Sequence, residues 1–363
     1  MNLEIRNNGF GIHTLLLGYM NLRYEEYNRL FNMIKDNIVC RENDYSYIRS
    51  NYFCSDCISG IFLELYKKNN HYYMTVFTNP KTLLENICCK YDILFQTDLN
   101  QVNTLVEKIN VALKKISDND NIYTFDNAIL SRVDLCVNYE FNNEYIVKQY
   151  LKLADRSVRA DKDNRRYFKD EDGLLDFERN SHSFDVQNSN FELTMYDKRY
   201  QLVQYGQEKN LNKEYGNILR IEVKLKRRMI YTHFSNIKSN IDKLKSILMN
   251  SSNIMINNIA PLFYPGDYYT IELGLKRICD TTYLSNTKNI MCELFLEKIN
   301  IERAYNSARV EFNLSDKQIS TLKQNFQKIS LNPSKITQKD AKKGSAFLPG
   351  FVELLKITEK SFI

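Results

Sequence analysis

Three segments of alternating polar and apolar residues constrain the fold of this chain more than any other feature. They are Ser131–Tyr139 (SRVDLCVNY), Phe191–Tyr200 (FELTMYDKRY) and Leu219–Lys226 (LRIEVKLK). A period of two is typical of a β-strand, so each segment is expected to bury its apolar side chains and to turn its polar ones to the opposite face. If the three strands share one sheet, their polar faces converge.

The converging face would combine a tyrosine with carboxylates and cations. Its members are Arg132, Asp134, Cys136 and Asn138 on the first segment, Glu192, Thr194, Tyr196 and Lys198 on the second, and Arg220, Glu222, Lys224 and Lys226 on the third. A phenol with a pKa near 10 becomes a useful nucleophile at neutral pH only beside a cation or a metal ion. Lys198, two residues beyond Tyr196, supplies such a cation. This face is the predicted active site.

Oxygen ligands on the same face suit a divalent metal ion. Asp134 and Glu222 lie in the middle of their strands and are the predicted ligands of Mg²⁺ or Mn²⁺, which prefer oxygen donors. The candidates for a third ligand are Glu192, Asp197, Asn138 and Glu140, and Arg132, Arg220 and Lys224 are candidates for holding a phosphodiester. The competing interpretation is that these alternating charges form cross-strand ion pairs on a solvated sheet face.

Length and composition predict an intracellular protein of several modules. At 363 residues, with 43% apolar and 26% charged residues, the chain is globular and longer than one hydrophobic core usually supports. No apolar run approaches the roughly 20 residues of a membrane span, and the N-terminal residues do not resemble a signal peptide, so a cytoplasmic location is expected. The eight cysteines are expected to be reduced; Cys54 and Cys57 have the spacing of half a zinc site, without a second half at the usual spacing.

The order of predicted elements indicates an α+β fold of two tandem ferredoxin-like units that form one extended antiparallel sheet. In residues 1–140, strands Gly11–Tyr19, Ser59–Tyr66, Tyr72–Phe77 and Ser131–Tyr139 combine with helices Tyr24–Ile38 and Gln101–Ile116 in the order β-α-β-β-α-β. In residues 141–230, the predicted elements are helix Glu144–Ala154, strands Leu174–Glu178, His182–Gln187 and Phe191–Asp197, helix Arg199–Gln207 and strand Leu219–Lys226. Residues 231–363 are expected to form a mainly helical accessory module, which begins with helix Phe234–Met249.

Clusters of positive charge suggest a polyanionic partner. The net charge is only +6, but residues 195–245 hold twelve Lys or Arg against five Asp or Glu, and residues 315–344 hold seven Lys against two Asp. The residues predicted to bind DNA are Arg132, Arg220, Lys224, Lys226, Arg227 and Arg228. Phosphate contacts by such residues position a nucleic acid without reading its sequence.

The ordered set SRVDLCVN, ELTMYDKRYQ and LRIEVKLKR resembles the replication initiation factor family of plasmids, phages and conjugative elements. The resemblance covers roughly Gly11 to Arg228 and implies an enzyme that nicks one strand at an origin and keeps the 5′ phosphate on tyrosine. It implies Tyr196 as the nucleophile, Asp134 and Glu222 as metal ligands, and Lys198 as an electrostatic helper. Asn138 stands where a second acidic residue is often found in that family. The implied partners are origin duplex, nicked single strand and a helicase; the oligomeric state, including a homodimer, stays open.

Several alternatives remain open at the level of sequence. The protein could be a non-catalytic origin-binding replication protein, or a relaxase for conjugative mobilisation, and Tyr200 is the rival of Tyr196 as nucleophile. An RNA-binding protein of RRM-like units would require exposed aromatic residues on the sheet centre, where charged residues are predicted instead.

Overall fold

A computed structural model describes residues 3–42, 46–53, 58–84, 98–159, 164–170, 172–204, 216–296 and 301–360. Within these residues the chain has a mixed α+β fold around one large antiparallel sheet. The Cys54–Cys57 motif lies outside the described residues. None of the helices in the described ranges is long and apolar enough to cross a membrane.

Among the described residues, eleven strands form the large sheet and two further short strands pair separately. The strands are β1 (Ile5–Asn7), β2 (Gly11–Leu22), β3 (Ile38–Glu42), β4 (Tyr47–Ser50), β5 (Ile61–Lys68), β6 (His71–Thr78), β7 (Ile129–Phe141), β8 (Arg165–Arg166), β9 (Ser183–Gln187), β10 (Phe191–Asp197), β11 (Asn217–Lys226), β12 (Tyr268–Tyr269) and β13 (Phe347–Leu348). Their order in the large sheet is β3-β4-β5-β6-β2-β7-β11-β10-β9-β8, with β1 also paired to β7.

Most of the helices pack on the apolar face of the sheet or lie in the C-terminal part of the chain. They are α1 (Tyr24–Ile34), α2 (Pro80–Leu84), α3 (Val102–Ile116), α4 (Glu144–Ser157), α5 (Phe177–Ser181), α6 (Lys198–Gln204), α7 (Arg227–His233), α8 (Asn240–Met249), α9 (Ser251–Ile259), α10 (Ile271–Cys279), α11 (Ser285–Leu296), α12 (Ile301–Glu311), α13 (Asp316–Lys328), α14 (Gln338–Lys343) and α15 (Phe351–Lys360). Most bury an apolar stripe, as α3 does with Leu105, Ile109 and Leu113.

The two halves of the sheet differ in strand order although their predicted element orders are alike. In the first half, β2, β5, β6 and β7 lie in the spatial order β5-β6-β2-β7. In the second half, β11 lies between β7 and β10, so the order is β7-β11-β10-β9. Direct pairing of β10 with β11 brings the second and third alternating segments side by side.

Several predicted elements are wrong. The predicted strand Leu174–Glu178 is replaced by a short turn and helix α5, whose N-cap Asp176 accepts a hydrogen bond from the backbone N–H of Arg179. The predicted helix Phe234–Met249 begins only at Asn240, because Ser239 caps α8 there. Helix α1 ends at Ile34, and the predicted end of that helix is instead the start of β3 at Ile38.

The described residues enclose two hydrophobic clusters. The larger one joins the apolar face of the sheet to α1, α3, α4, α8, α9 and α15. The smaller one lies among α10 to α13 and includes Ile278, Phe295 and Phe326. The C-terminal helix α15 also contacts the central strand directly, because the Tyr139 hydroxyl lies 3.1 Å from the Leu354 carbonyl oxygen and 2.7 Å from Thr358 Oγ1. The C-terminal residues therefore pack partly on the sheet and partly on one another.

Candidate functional site

A cleft of about 720 Å³ lies on the polar face of the sheet, where β2, β7, β11, β10 and β9 run side by side. Its lining includes His13, Thr14, Phe77, Arg132, Asp134, Arg166, Tyr167, Phe168, Asp176, Arg179, His182, Ser183, Asp185, Glu192, Thr194, Tyr196, Asp197, Tyr200, Gln201, Gln204, Glu222 and Lys224. The polar faces of the three alternating segments therefore meet, as their periodicity predicts.

Tyr196 lies on the floor of this cleft and is only 7% exposed. Its hydroxyl donates a hydrogen bond to Glu222 Oε1 at 2.6 Å. Burial, reinforced by the negative charge of Glu222, raises the pKa of Tyr196 well above its ordinary value. The phenol is therefore protonated in the free protein, with its proton directed at a carboxylate.

Glu222 belongs to a buried network that extends beneath the cleft. Its Oε1 lies 3.5 Å from His13 Nε2 and 3.7 Å from Arg220 Nη1. Arg220 is only 2% exposed and donates from Nε to Asn138 Oδ1 at 2.6 Å. Burial alone would raise the pKa of Glu222, but His13 and Arg220 lower it to about 2, so the carboxylate is ionised at neutral pH.

His13 is a site residue that the alternating pattern did not reveal. It lies at a β-bulge between Ile12 and Thr14, where the register of β2 against β7 shifts. The irregularity allows His13 and Thr14 to line the cleft together. Two adjacent polar residues in an otherwise apolar strand are the sequence signal that could have indicated a bulge. Burial lowers the pKa of His13 to about 3, so its imidazole is neutral.

Lys198 is not part of the strand that carries Tyr196. The strand ends at Asp197, and Lys198 is the first residue of α6, which corrects the predicted alternation through that position. Its Nζ lies 5.7 Å from the centre of the Tyr196 ring and donates to Gln201 Oε1 at 2.6 Å. Burial, and secondarily the positive charge of Arg220, lower the pKa of Lys198 well below its ordinary value.

Asp134 lines the cleft but is already bound by an arginine. Arg132 donates to its two carboxylate oxygens, from Nε at 2.6 Å and from Nη2 at 2.5 Å. Burial raises the pKa of Asp134 to about 6 although the neighbouring Arg132 opposes the shift. This ion pair lies within β7 and Asp134 is buried, so it differs from the cross-strand pairs on a solvated face of the competing interpretation. A cation bound by Asp134 would compete with Arg132 for the carboxylate.

The candidates for a third metal ligand are also engaged elsewhere. Glu192 is paired with Lys224 and Arg166, Asp197 contacts His182, and Glu140 accepts from the backbone N–H of Gly216. Within the described ranges, no three His, Cys, Asp or Glu side chains are grouped closely enough to hold a metal ion. Asp134 and Glu222 are thus two oxygen donors of the expected kind, and His13, which lies beside Glu222, does not complete a group of three with them in the described ranges.

The six residues predicted to bind DNA occupy different environments. Arg132 and Lys224 line the cleft, whereas Arg220 is buried beneath it. The remaining three lie where β11 leads into α7: Lys226 Nζ donates to the Asn188 carbonyl at 2.6 Å, Arg227 Nη1 lies 3.2 Å from Met20 Sδ, and Arg228 is exposed. Arg220 is therefore placed to stabilise the site rather than to meet a ligand in solvent.

The first half of the sheet carries aromatic residues on the face that forms the cleft. Across β5, β6, β2 and β7, the residues Phe62, Phe77, Leu16 and Arg132 lie opposite one another in that order. Directly opposite residues point to the same face, so the two phenylalanines share the face of Arg132. The guanidinium of Arg49 covers the two phenyl rings at 4.7 and 4.1 Å. In this half, aromatic residues of β5 and β6 therefore share the face on which β7, β10 and β11 carry charged residues.

No protein-family model matches this chain, and a search of curated proteins finds no significant match either. The chemistry of the cleft is therefore the main basis for inferring function.

The buried arginine gives a testable prediction about stability. Replacing Arg220 by Gln removes the charge that pairs with Glu222, and breaking a buried ion pair typically costs about 3–5 kcal/mol of unfolding free energy. Arg166→Gln is the matched control, because Arg166 has a 56% exposed side chain and surface ion pairs contribute about 0–1 kcal/mol. Urea unfolding measures both variants; an equal effect would show that the buried network contributes no special stability.

Proposed function

We propose that this protein is a tyrosine-nucleophile DNA nicking and joining enzyme that initiates rolling-circle replication. The observation that carries the proposal is the Tyr196 hydroxyl on the floor of a cleft, 2.6 Å from an ionised, buried carboxylate of Glu222. The ordered sequence motifs around Asp134, Tyr196 and Glu222 support the same assignment through their resemblance to the replication initiation factor family.

In the proposed step, Tyr196 Oη attacks the scissile phosphorus of one DNA strand. A phosphotyrosyl bond forms to the 5′ phosphate, the bond between phosphorus and the 3′ oxygen breaks, and the phenol proton passes to Glu222. The departing 3′ oxygen takes a proton from water and becomes a hydroxyl. Because the pKa of Tyr196 is raised, the proton has to leave as the new bond forms. Attack of a 3′ hydroxyl on the phosphotyrosine reverses these steps and joins the strand.

The cations of the cleft provide the electrostatic part of the proposal. Arg132, Arg166, Arg179 and Lys224 line it, and guanidinium groups match the two non-bridging oxygens of a phosphodiester. Arg132 and Lys224 are paired with Asp134 and Glu192 in the free protein. A bound phosphate would therefore compete with Asp134 and Glu192 for these cations.

We also propose Mg²⁺ or Mn²⁺ as cofactor, with Asp134 and Glu222 as the protein ligands. Both are oxygen donors that line the same cleft, which suits these hard cations. A bound ion would neutralise the developing charge on the phosphate oxygens. Arg132 holds both oxygens of Asp134, so its displacement by the ion is part of this proposal.

The finer description of the fold is part of the same proposal. The β5-β6-β2-β7 order, with helices α1 and α3 in the connections, supports a ferredoxin-like unit in residues 1–140. In residues 141–230 the position of β11 between β7 and β10 departs from that order, so tandem repetition rests on element order alone. Residues 231–363 would serve as the accessory module.

Two other functions are compatible with the same cleft. A relaxase for conjugative mobilisation would use the same phosphoryl transfer on a different target. A non-catalytic origin-binding protein would use the cations and leave Tyr196 as a buried structural residue, which its 7% exposure permits.

The proposed partners in each case are the origin duplex and a single DNA strand. A helicase would be recruited after nicking, and the proposed location is the cytoplasm. A homodimer is an additional proposal.

We predict that Tyr196→Phe abolishes nicking of supercoiled origin DNA but changes duplex binding by less than a few fold, because only the nucleophilic oxygen is lost. The measurements are gel conversion of supercoiled to nicked circles and detection of the covalent protein–DNA adduct. Tyr200→Phe is the matched control and should nick like the wild type. An adduct that persists in Tyr196→Phe and disappears in Tyr200→Phe would transfer the nucleophilic role to Tyr200.

We predict that Asp134→Asn and Glu222→Gln each abolish Mn²⁺ binding, because each removes the charge of an oxygen ligand while keeping its shape. Calorimetric titration with Mn²⁺ measures the binding, and Asp118→Asn, an ion-paired carboxylate outside the cleft lining, serves as control. Unchanged Mn²⁺ affinity in both test variants would reduce these carboxylates to ion-pair partners.

We predict that replacing Lys226, Arg227 and Arg228 together by Gln weakens duplex binding for all sequences alike. In a plot of the logarithm of the binding constant against the logarithm of the salt concentration, each neutralised phosphate contributes about −0.9 to the slope. Loss of three phosphate contacts is therefore expected to flatten the slope by about two to three units. Lys114→Gln with Lys115→Gln, in the exposed last turn of α3, is the control and should leave the slope unchanged. A slope unaltered in the triple variant would show that this cationic run points away from DNA.

A further inference from the structure

One wall of the cleft is built from two stacked pairs of planar groups, which we call the ring wall. His182 and Tyr200 are stacked with ring centres 3.8 Å apart and an interplanar angle of 3°. The guanidinium of Arg179 covers the ring of Phe168 at 3.8 Å from its centre. All four side chains line the cleft. Alternating aromatic and cationic groups are the usual contact surface for unpaired nucleic-acid bases.

The ring wall is fixed to the strand that carries the proposed nucleophile. Asp197 follows Tyr196 directly, and its Oδ2 lies 3.3 Å from His182 Nδ1. Its other oxygen accepts a hydrogen bond from the backbone N–H of Tyr200 at 3.1 Å, in the first turn of α6. One carboxylate therefore contacts the His182 ring and anchors the backbone of Tyr200. A stacked pair anchored in this way loses little conformational freedom when a ligand stacks on it.

Asp185 lies on the same side of the cleft and has an unused hydrogen-bond acceptor. Its Oδ1 accepts from Thr194 Oγ1 at 2.7 Å, so the carboxylate orientation is set. Its Oδ2 has no hydrogen-bond partner within the described ranges, although the residue is only 7% exposed. A buried acceptor without a partner typically costs about 1–3 kcal/mol, and a donor from a ligand would recover that loss.

Asp185 lies where a nucleotide next to the scissile phosphate would bind. It lies opposite Thr194 across the β9–β10 pair, whereas Ser183 lies opposite Tyr196. Asp185 and Tyr196 are thus diagonal neighbours, a relation that places side chains about 7–8 Å apart. A carboxylate repels phosphate, so the ligand group at Asp185 is a neutral one that offers an N–H donor. A nucleobase is a planar ring that presents N–H groups at its edge, so it fits this position.

We propose that the ring wall and Asp185 form a pocket for one unpaired base adjacent to the scissile phosphate. Tyr200, backed by His182, stacks on the base, and Asp185 Oδ2 accepts a hydrogen bond from its exocyclic amino group. Adenine and cytosine offer that donor, whereas thymine presents a carbonyl oxygen at the equivalent edge. This inference rests on the proposed function for the identity of the strand, and it adds a preference for the base that is bound.

The test uses fluorescence anisotropy of the full-length protein with labelled single-stranded dC, dA and dT decamers, without added metal so that no cleavage occurs. Tyr200→Leu is expected to weaken binding of all three by at least about fivefold, and Tyr200→Phe by less than about twofold, because stacking on one ring typically contributes about 1–3 kcal/mol. Asp185→Asn is expected to remove a roughly tenfold preference of the wild type for dC and dA over dT. Asp118→Asn, an ion-paired carboxylate outside the cleft lining, should keep that preference.

The outcomes separate this inference from the proposed function. Wild-type affinity in Tyr200→Leu, or an unchanged base preference in Asp185→Asn, would overturn the pocket even if the protein nicks DNA. The predicted dependence on both residues, in a protein that never forms a covalent adduct, would support the pocket and refute the nicking enzyme. Failure of the wild type to bind any of the decamers would overturn the pocket. Thermal unfolding checks folding, and Asp185→Asn is expected to be at least as stable as the wild type, because it removes an unpaired buried charge.

Discussion

Arg220 carries a full positive charge inside the sheet, and the arrangement of the site depends on how that charge is paired. Taking a guanidinium out of water costs several kcal/mol unless anionic and polar groups surround it. Glu222, Asn138 and His13 provide those groups. The pairing keeps Glu222 ionised beneath the cleft, and the ionised carboxylate orients the Tyr196 proton.

Strand order decides which side chains can form this network. The direct pairing of β10 with β11 places Thr194 opposite Glu222 and Tyr196 opposite Arg220, so tyrosine and carboxylate are diagonal neighbours. On the other side of β11, Lys224 lies opposite Asp134 and Arg220 lies opposite Asn138. With another strand between β10 and β11, the Tyr196 hydroxyl could not reach Glu222.

The sequence was sufficient to predict which face of each strand is polar, because a period of two is a local property of β10 and its neighbours. It could not predict strand order, since non-local packing decides which strand lies beside β7. His13 escaped notice because a bulge breaks the alternation that reveals such residues. Asp185 was missed although it alternates with Phe184 and Val186 in β9, whereas Arg179 was missed because the turn and N-cap of α5 were read as a strand.

Strand β7 runs without interruption for thirteen residues and is hydrogen-bonded to β2 on one side and to β11 on the other. The two halves of the sheet are therefore one continuous ladder at the place where the cleft lies. Swinging them apart would break main-chain hydrogen bonds along β7, in which ten of the thirteen residues are buried. Entry and release of a ligand thus fall to the shorter elements at the rim, above all β8, α5 and α6. In the proposed enzyme, a local rearrangement of these short elements would admit the DNA strand while β7, β10 and β11 keep their pairing.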